Sequence, residues 1–520
     1  MQEIHNNASD RHPSGLNDIL IWLARPLETD PADDLVSFGK HCDALGQLQL
    51  DPLRYHRILD LFYDRAHKLT TALREVLIEA KLPLERSLRA KAALLIELHG
   101  QVTTGYERVL QQADERLTKN KRRNPSIVAA RALRSLSAQL DASCLVAAPP
   151  PSNLWLRAHH LARIASETFD PEIKVSPAIQ LDADKLYKGM LALAAAQPRG
   201  LSPSEVALTC DYLTQFAVAV ETQAQAPEKT EDGWEGWYVV NTEQDTGPVA
   251  PNRHELSQDK KQLFCSFQRL ARLLGEQISA LESGMPAANL RLSEHAASPA
   301  GICALKHLQT HWKTPPLRKS MRRAINYRAE VCIGLDDLWK LIDQGITPAN
   351  TDGLVDLDNL ETSPPQTTEW MVINESPSGF AVMHVSGKME GLVQGSVIAL
   401  RTTSEKPWNV CVVRWMKSDS ADHLELGLEM LAPLAQSVRL MFRNGDQSQQ
   451  PTPGLLLPAV PALRKNQALL TPPGSYSARR FFIVSGEDTT QVKQARLISL
   501  DVQTGSFELF QFEHEPFPLL

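Results

Sequence analysis

The apolar residues of this chain change their spacing once, and that change constrains the fold more than any other feature. From Leu59 they run Leu59, Phe62, Ala66, Leu69, Leu73, Val76 and Ala80, in alternating steps of three and four. A second run, Leu88, Ala92, Leu95, His99, Val102, Tyr106, Val109 and Ala113, repeats the pattern. Such steps put one apolar stripe on each of two helices. The Lys81-Leu82-Pro83 joint predicts an antiparallel hairpin or a kinked rod, because proline cannot continue a helix. Two stripes joined so closely fit an intramolecular bundle better than a seam for a partner. From about residue 368 the pattern becomes short apolar runs bounded by turn residues: Trp370–Ile373, Phe380–Met383, Ser396–Leu400, Val410–Trp415 and Leu424–Glu429. These read as the strands of a small antiparallel barrel or sandwich, and Arg480–Val484, Arg496–Val502 and Ser506–Phe512 extend them. The fold class is therefore α+β multidomain, an α-helical N-terminal region followed by a C-terminal antiparallel β-barrel with a β extension.

Local signals fill in the helical part. Asn124-Pro125 reads as an N-cap and first-turn proline, opening a helix to about Ala142. Ser202-Pro203-Ser204-Glu205 is a capping box that opens a helix to about Thr222. Gln223–Gly236 is polar and acidic, a linker, and Trp234, Trp237 and Tyr238 beside Val239-Val240 suggest a short extended segment. A helix is expected over Leu256–Leu281, with Leu263, Phe267, Leu270, Leu274, Ile278 and Leu281 on one face. No internal sequence repeat of 20–50 residues is visible.

Composition narrows the function classes. In 520 residues, 54 Lys+Arg against 61 Asp+Glu leave a net charge of −7, which argues against a general nucleic-acid coat. The longest apolar stretches fall far short of the ~20 residues a bilayer-spanning helix needs, so no membrane span is expected. Seven scattered cysteines, never spaced CxxC, read as reduced thiols in a cytoplasmic protein, and residues 1–10 carry no secretory pattern.

Against that acidity, Lys313, Arg318, Lys319, Arg322, Arg323 and Arg328 give +6 with no acid between 313 and 328. Charge alone favours a solvated basic linker. Further on, Asn374-Glu375-Ser376-Pro377-Ser378-Gly379 forms a turn between two expected strands. Asn and Ser offer short side-chain hydrogen bonds and Gly379 a close backbone approach, though an ordinary hairpin turn would use the same residues. An arginine segment entering a small barrel, then [Asp/Asn]-x-Ser-x-x-Gly between strands, resembles the PilZ family over about residues 318–433. Asn374, Ser376 and Gly379 match the turn, and Arg318 and Arg322 match RxxxR, with Arg323 crowding the same stretch. The resemblance implies binding of cyclic di-GMP by these six residues and needs no cofactor. Physically it is apt, since guanidinium forks grip phosphate and the guanine edge and stack on base planes. Between Arg322 and Asn374 lie 374 − 322 = 52 residues, holding an expected helix at Asp336–Ile342 and a loop at Thr347–Thr368.

Rival chemistries are weaker. Cys303, His307 and His311 fall four apart on one helix side, yet no HExxH accompanies them. No GxSxG, P-loop or dinucleotide fingerprint is present, and no cyclic di-GMP synthase or phosphodiesterase signature. The expected organisation is a helical domain at 1–222, a linker at 223–253, a helix and Pro/Ala-rich connector at 254–317, a PilZ-like barrel at 318–433 and a β-rich extension at 434–520. The expected protein is a non-enzymatic bacterial cyclic di-GMP effector whose helical region meets a protein partner. The alternative is a helical scaffold whose degenerate barrel docks proteins but no nucleotide.

Overall fold

The computed structural model describes residues 15–112, 125–167, 177–227, 236–251, 261–315, 321–344, 365–386, 392–420, 423–442, 451–461, 464–477, 480–485 and 491–516. The N-terminal body is built from α1 (Leu16–Ala24), α2 (Pro31–Gln47), α3 (Pro52–Glu79), α4 (Arg86–Gln111), α5 (Pro125–Leu145), α6 (Leu154–Glu167), α7 (Pro177–Ala195) and α8 (Pro203–Phe216). The two stripes find each other. Leu59, Phe62, Leu69, Ala92, Leu95, Val102 and Tyr106 are buried in one core, each large side chain contributing about 1.5–3 kcal/mol on burial. Cross-contacts run antiparallel, His56 against Tyr106 and Thr70 against His99. The bundle reading of the stripes holds, except that Val76 faces solvent at 50 % exposure and Leu77 takes the core position.

His99 is a core residue. Its Nε2 lies 2.8 Å from the Thr70 hydroxyl, which already donates to the Ala66 carbonyl, so His99 is the donor of that pair. Burial pushes its pKa down to about 3. The capping box forms as expected, with Ser202 accepting from the Glu205 N–H and Glu205 from the Ser202 N–H.

A three-stranded antiparallel sheet, β1 (Glu221–Gln223), β2 (Trp237–Asn241) and β3 (Gln262–Ser266), follows with β3 central. Here the sequence expectation needs correction. The helix expected over Leu256–Leu281 begins only at Gln268, as α9 (Gln268–Glu282), and Leu263 lies on β3. Strand pairing on both edges, Val239 and Gln223 each opposite Phe264, overrides the helical spacing of those residues. Residues 252–260 and Trp234 lie outside the described residues. Within the expected connector, α10 (Pro299–Lys313) forms, and its Trp312 indole donates to the Ala192 carbonyl at 2.9 Å.

Two closed six-stranded barrels complete the chain. The first comprises β4 (Arg323–Ile333), β5 (Thr367–Ser376), β6 (Gly379–Ser386), β7 (Val397–Arg401), β8 (Asn409–Ser420) and β9 (His423–Ala432), ordered β4-β5-β6-β9-β8-β7. The second comprises β10 (Gln436–Phe442), β11 (Thr452–Leu457), β12 (Ala468–Thr471), β13 (Arg480–Ser485), β14 (Gln491–Gln503) and β15 (Glu508–His514), ordered β10-β11-β12-β15-β14-β13. Helix α11 (Leu335–Gln344) packs beside both, its Trp339 indole donating to the Val438 carbonyl at 3.0 Å. The far end of β8 meets the helical body: the Ser418 N–H donates to the Ala147 carbonyl at 3.0 Å, and Arg89 donates to the carbonyls of Val146 (3.1 Å) and Ser418.

Candidate functional site

The [Asp/Asn]-x-Ser-x-x-Gly residues close the hairpin between β5 and β6. Ser376 pairs with Gly379 across the two-residue Pro377-Ser378 turn, and Asn374 pairs with Ala381. The Ser376 hydroxyl donates to the Gly379 carbonyl at 3.2 Å and lies 3.3 Å from the Ser378 hydroxyl. The Met430 N–H donates to the Ser378 carbonyl at 2.9 Å, so the turn is tied to β9 as well. Gly379 is required by this packing, because a Cβ there would collide with the Leu428 carbonyl. The expectation that Gly379 keeps space open for a ligand therefore needs revision. Its open side is filled by the backbone of β9.

The arginines arrive beside this turn. β4 pairs antiparallel with β5 in a register that sets Arg323 opposite Glu375 and Ala324 opposite Asn374. Arg323 and Glu375, far apart in sequence, are thus one strand spacing apart in the fold, about 4.8 Å. Arg322 and Arg323 are exposed and, among the described residues, in no ion pair. Their neighbours are committed elsewhere: Arg328 to Glu369 at 2.8 Å, Arg401 to Glu330 at 2.8 Å and Arg414 to Glu429. Two unpaired guanidinium groups beside a Ser/Asn turn are available to an anion with hydrogen-bonding edges. Arg318 and Lys319 lie outside the described residues.

Two features of the site are not legible as motifs. The Tyr327 hydroxyl donates to Glu375 at 3.1 Å, and burial together with that carboxylate pushes the phenol up to about 12. Glu429 stands opposite Gly379 with Arg414 on its carboxylate. Both follow from cross-strand register, for which a single sequence carries no direct signal. A cleft of about 430 Å³ lies on the same strands toward their other end, lined by Arg328, Glu330, Thr367, Glu369, Ser386 and Thr402. It includes none of the expected site residues among its lining.

The metal reading finds no support at Cys303, His307 and His311. The His307 and His311 rings stack at 4.2 Å, and the Cys303 thiol donates to the Gln503 carbonyl at 3.2 Å. Burial lowers both imidazole pKa values, that of His307 to about 3. Among the described residues, Asp419, His423 and Glu425 converge closely enough to ligate an ion, but the Lys417 ammonium already sits 2.9 Å from Asp419 and 3.5 Å from Glu425.

Comparison with known proteins points to the same architecture. Residues 17–228 match the N-terminal domain of the cyclic-di-GMP receptor FimW, residues 349–437 its middle PilZ domain and residues 437–515 its C-terminal β-barrel domain. The cyclic-di-GMP receptor FimW of Pseudomonas aeruginosa is 22 % identical to this chain over 561 aligned positions, covering 95 % of this chain and 90 % of that protein. The PilZ match begins after β4, so Arg322 and Arg323 lie outside the matched stretch. Among the described residues, no helix is long and apolar enough to cross a membrane.

Proposed function

We propose that this chain, whose middle barrel is a PilZ domain, is a cytoplasmic cyclic di-GMP receptor that signals by binding and performs no chemistry of its own. The observation that supports the reading is the β4–β5 register, which sets Arg323 opposite Glu375 of the Asn374–Gly379 turn, with Arg322 next to it in the chain. Arg318, Arg322 and Arg323 would grip the phosphates and a guanine edge, while Asn374 and Ser376 would hydrogen-bond a base or phosphate from the barrel side. Gly379 would act indirectly, by letting β6 and β9 close up so that Ser376 is held in place.

The messenger would reach the helical body through β8 and β9. The turn bonds β9 through Met430, β9 pairs with β8, and β8 ends in the Ser418–Ala147–Arg89 contacts. A protein partner would read the outcome on the helices, where Leu61 and Val76 of α3 are exposed. Calorimetric titration of cyclic di-GMP into the full chain tests the proposal. Micromolar or tighter binding is expected, weakened about a hundredfold or more by Arg322→Ala and by Ser376→Ala; no heat and no thermal shift at saturating nucleotide would overturn it.

A further inference from the structure

We propose that His307 and His311 make the seam between α10 and the first barrel sensitive to acid, closed while both rings are neutral and opened when they gain protons. Helical spacing carries Cys303, His307 and His311 along one side of α10, and that side meets both barrels. The Cys303 thiol donates to the Gln503 carbonyl of β14 at 3.2 Å, and the charge of Arg414 on β8 acts on both imidazoles. The two rings stack on each other at 4.2 Å. Nearby, Gly200 approaches β8 so closely that a Cβ there would stand 2.8 Å from the Arg414 carbonyl. The seam is tight.

Its polar groups suit neutral rings only. The His307 Nε2 is buried and meets no hydrogen-bond partner among the described residues, while the His311 Nδ1–H donates to the His307 carbonyl at 3.0 Å. A proton on either ring adds a positive charge beside Arg414, and the ring stacked on it adds a second. The groups around them offer little to offset this. Glu429 of β9 is spent on Arg414, and Glu282 of α9 on Lys306 at 2.6 Å. Glu205 of α8 faces Cys303 and bonds the Ser202 N–H, and the Tyr238 phenol of β2 donates to the His311 carbonyl.

Burial first, then the His311 ring and Arg414, hold the His307 pKa down at about 3, and burial and Arg414 lower that of His311. Each ring is therefore neutral in the closed seam and takes a proton once exposed below the usual imidazole value of about 6.5. Closure is complete above that pH and weakens below it, by up to about tenfold per pH unit for each ring. What opens is the contact between the barrel and a helix that Trp312 fastens to the helical body through the Ala192 carbonyl.

Amide exchange of the full chain, corrected for the intrinsic effect of pH on exchange, tests the proposal. Protection of the α10 amides is expected to fall at least about tenfold between about pH 7.5 and about pH 5. Strands β11 and β12, which carry no histidine, should keep theirs. The His307→Gln, His311→Gln double variant should be protected alike at both pH values, with thermal melts to verify folding. Arg414→Met removes the repelling charge and leaves the Glu429 carboxylate to receive an imidazolium, so the loss should move to lower pH by about half a unit or more. That shift decides the matter should the double variant fail to fold. Equal protection of wild-type α10 at both pH values, a loss that persists in the folded double variant, or an unmoved midpoint in Arg414→Met overturns the proposal.

Discussion

The barrel of residues 323–432 and the barrel of residues 436–514 run their six strands in the same order, first-second-third-sixth-fifth-fourth, and both close. They differ at the connection between second and third strands. In the first barrel it is the tight Pro377-Ser378 turn, flanked by Ser376 and Gly379 and beside the strand that opens at Arg323. In the second it spans residues 458–467, and its Arg464 is spent inward, donating to the Leu431 carbonyl of the first barrel at 2.9 Å and to the Pro458 carbonyl at 3.3 Å. One topology therefore serves two ends. The first barrel presents its hairpin to solvent, whereas the second uses the equivalent segment as an anchor. A fold shared by both says nothing about ligand binding; the chemistry of one turn does.

The strongest way to break this comparison is through the cores. Cys332, Leu338, Val397, Val412, Leu457, Leu470 and Phe507 form a single cluster that draws on both barrels and α11. Outside it, Trp370 of the first barrel is fully buried in the large core that continues into the helical body, and Phe510 in a core confined to the second barrel. Trp370→Ala and Phe510→Ala should each cost ~3–5 kcal/mol. Because of the shared cluster, scanning calorimetry should show either change moving one common transition of both barrels. A Phe510→Ala protein whose first barrel melts at the wild-type temperature would show two independent modules instead.

How much of this was legible in the sequence follows from where each interaction lies. The stripe Leu59–Leu73 and the Ser202–Glu205 box are contacts within a few residues, and they were readable. Strand β3 was not, because Leu263, Phe267, Leu270 and Leu274 keep a helical spacing and only pairing with β1 and β2 decides against it. The repeated barrel topology is likewise invisible, since the two share a strand order without any sequence repeat. At the site, the Asn374–Gly379 turn could be read directly, while the Tyr327–Glu375 bond required the register of β4 on β5 and the Arg414–Glu429 pair that of β8 on β9.

Glycines sharpen the contrast with a smaller effect. A methyl on Gly379 meets the Leu428 carbonyl, which is backbone and cannot move without breaking the β6–β9 ladder. A methyl on Gly454, in the second strand of the second barrel, meets the Leu440 side chain at 3.0 Å, and that chain can change rotamer. Gly379→Ala should therefore cost about 2–3 kcal/mol and distort the turn, and Gly454→Ala about 1 kcal/mol, as measured by urea unfolding. Equal costs would mean that the two sheets tolerate crowding alike, and the first barrel's tightness at its turn would lose its functional meaning.

The smallest effect separates the barrels by their attachment to the helical body. Arg89 of α4 donates to the Ser418 carbonyl of β8 and to the Val146 carbonyl within the helical body, whereas the second barrel reaches the helices through the weaker Cys303 thiol bond to Gln503. Arg89→Ala should cost only about 1–2 kcal/mol, because the guanidinium is half-buried and water can replace part of what it gives. Its effect on communication should exceed its effect on stability. In the wild type, saturating cyclic di-GMP is expected to slow amide exchange both at the β5–β6 turn and in the α4–α5 region beside Ala147. In Arg89→Ala the turn should still be protected and the helices no longer. Cys303→Ser should leave both patterns unchanged, since the second barrel lies off the route from turn to helices. Protection of the helices that survives Arg89→Ala would move the coupling away from β8, leaving the Ser418–Ala147 contact as a passive seam.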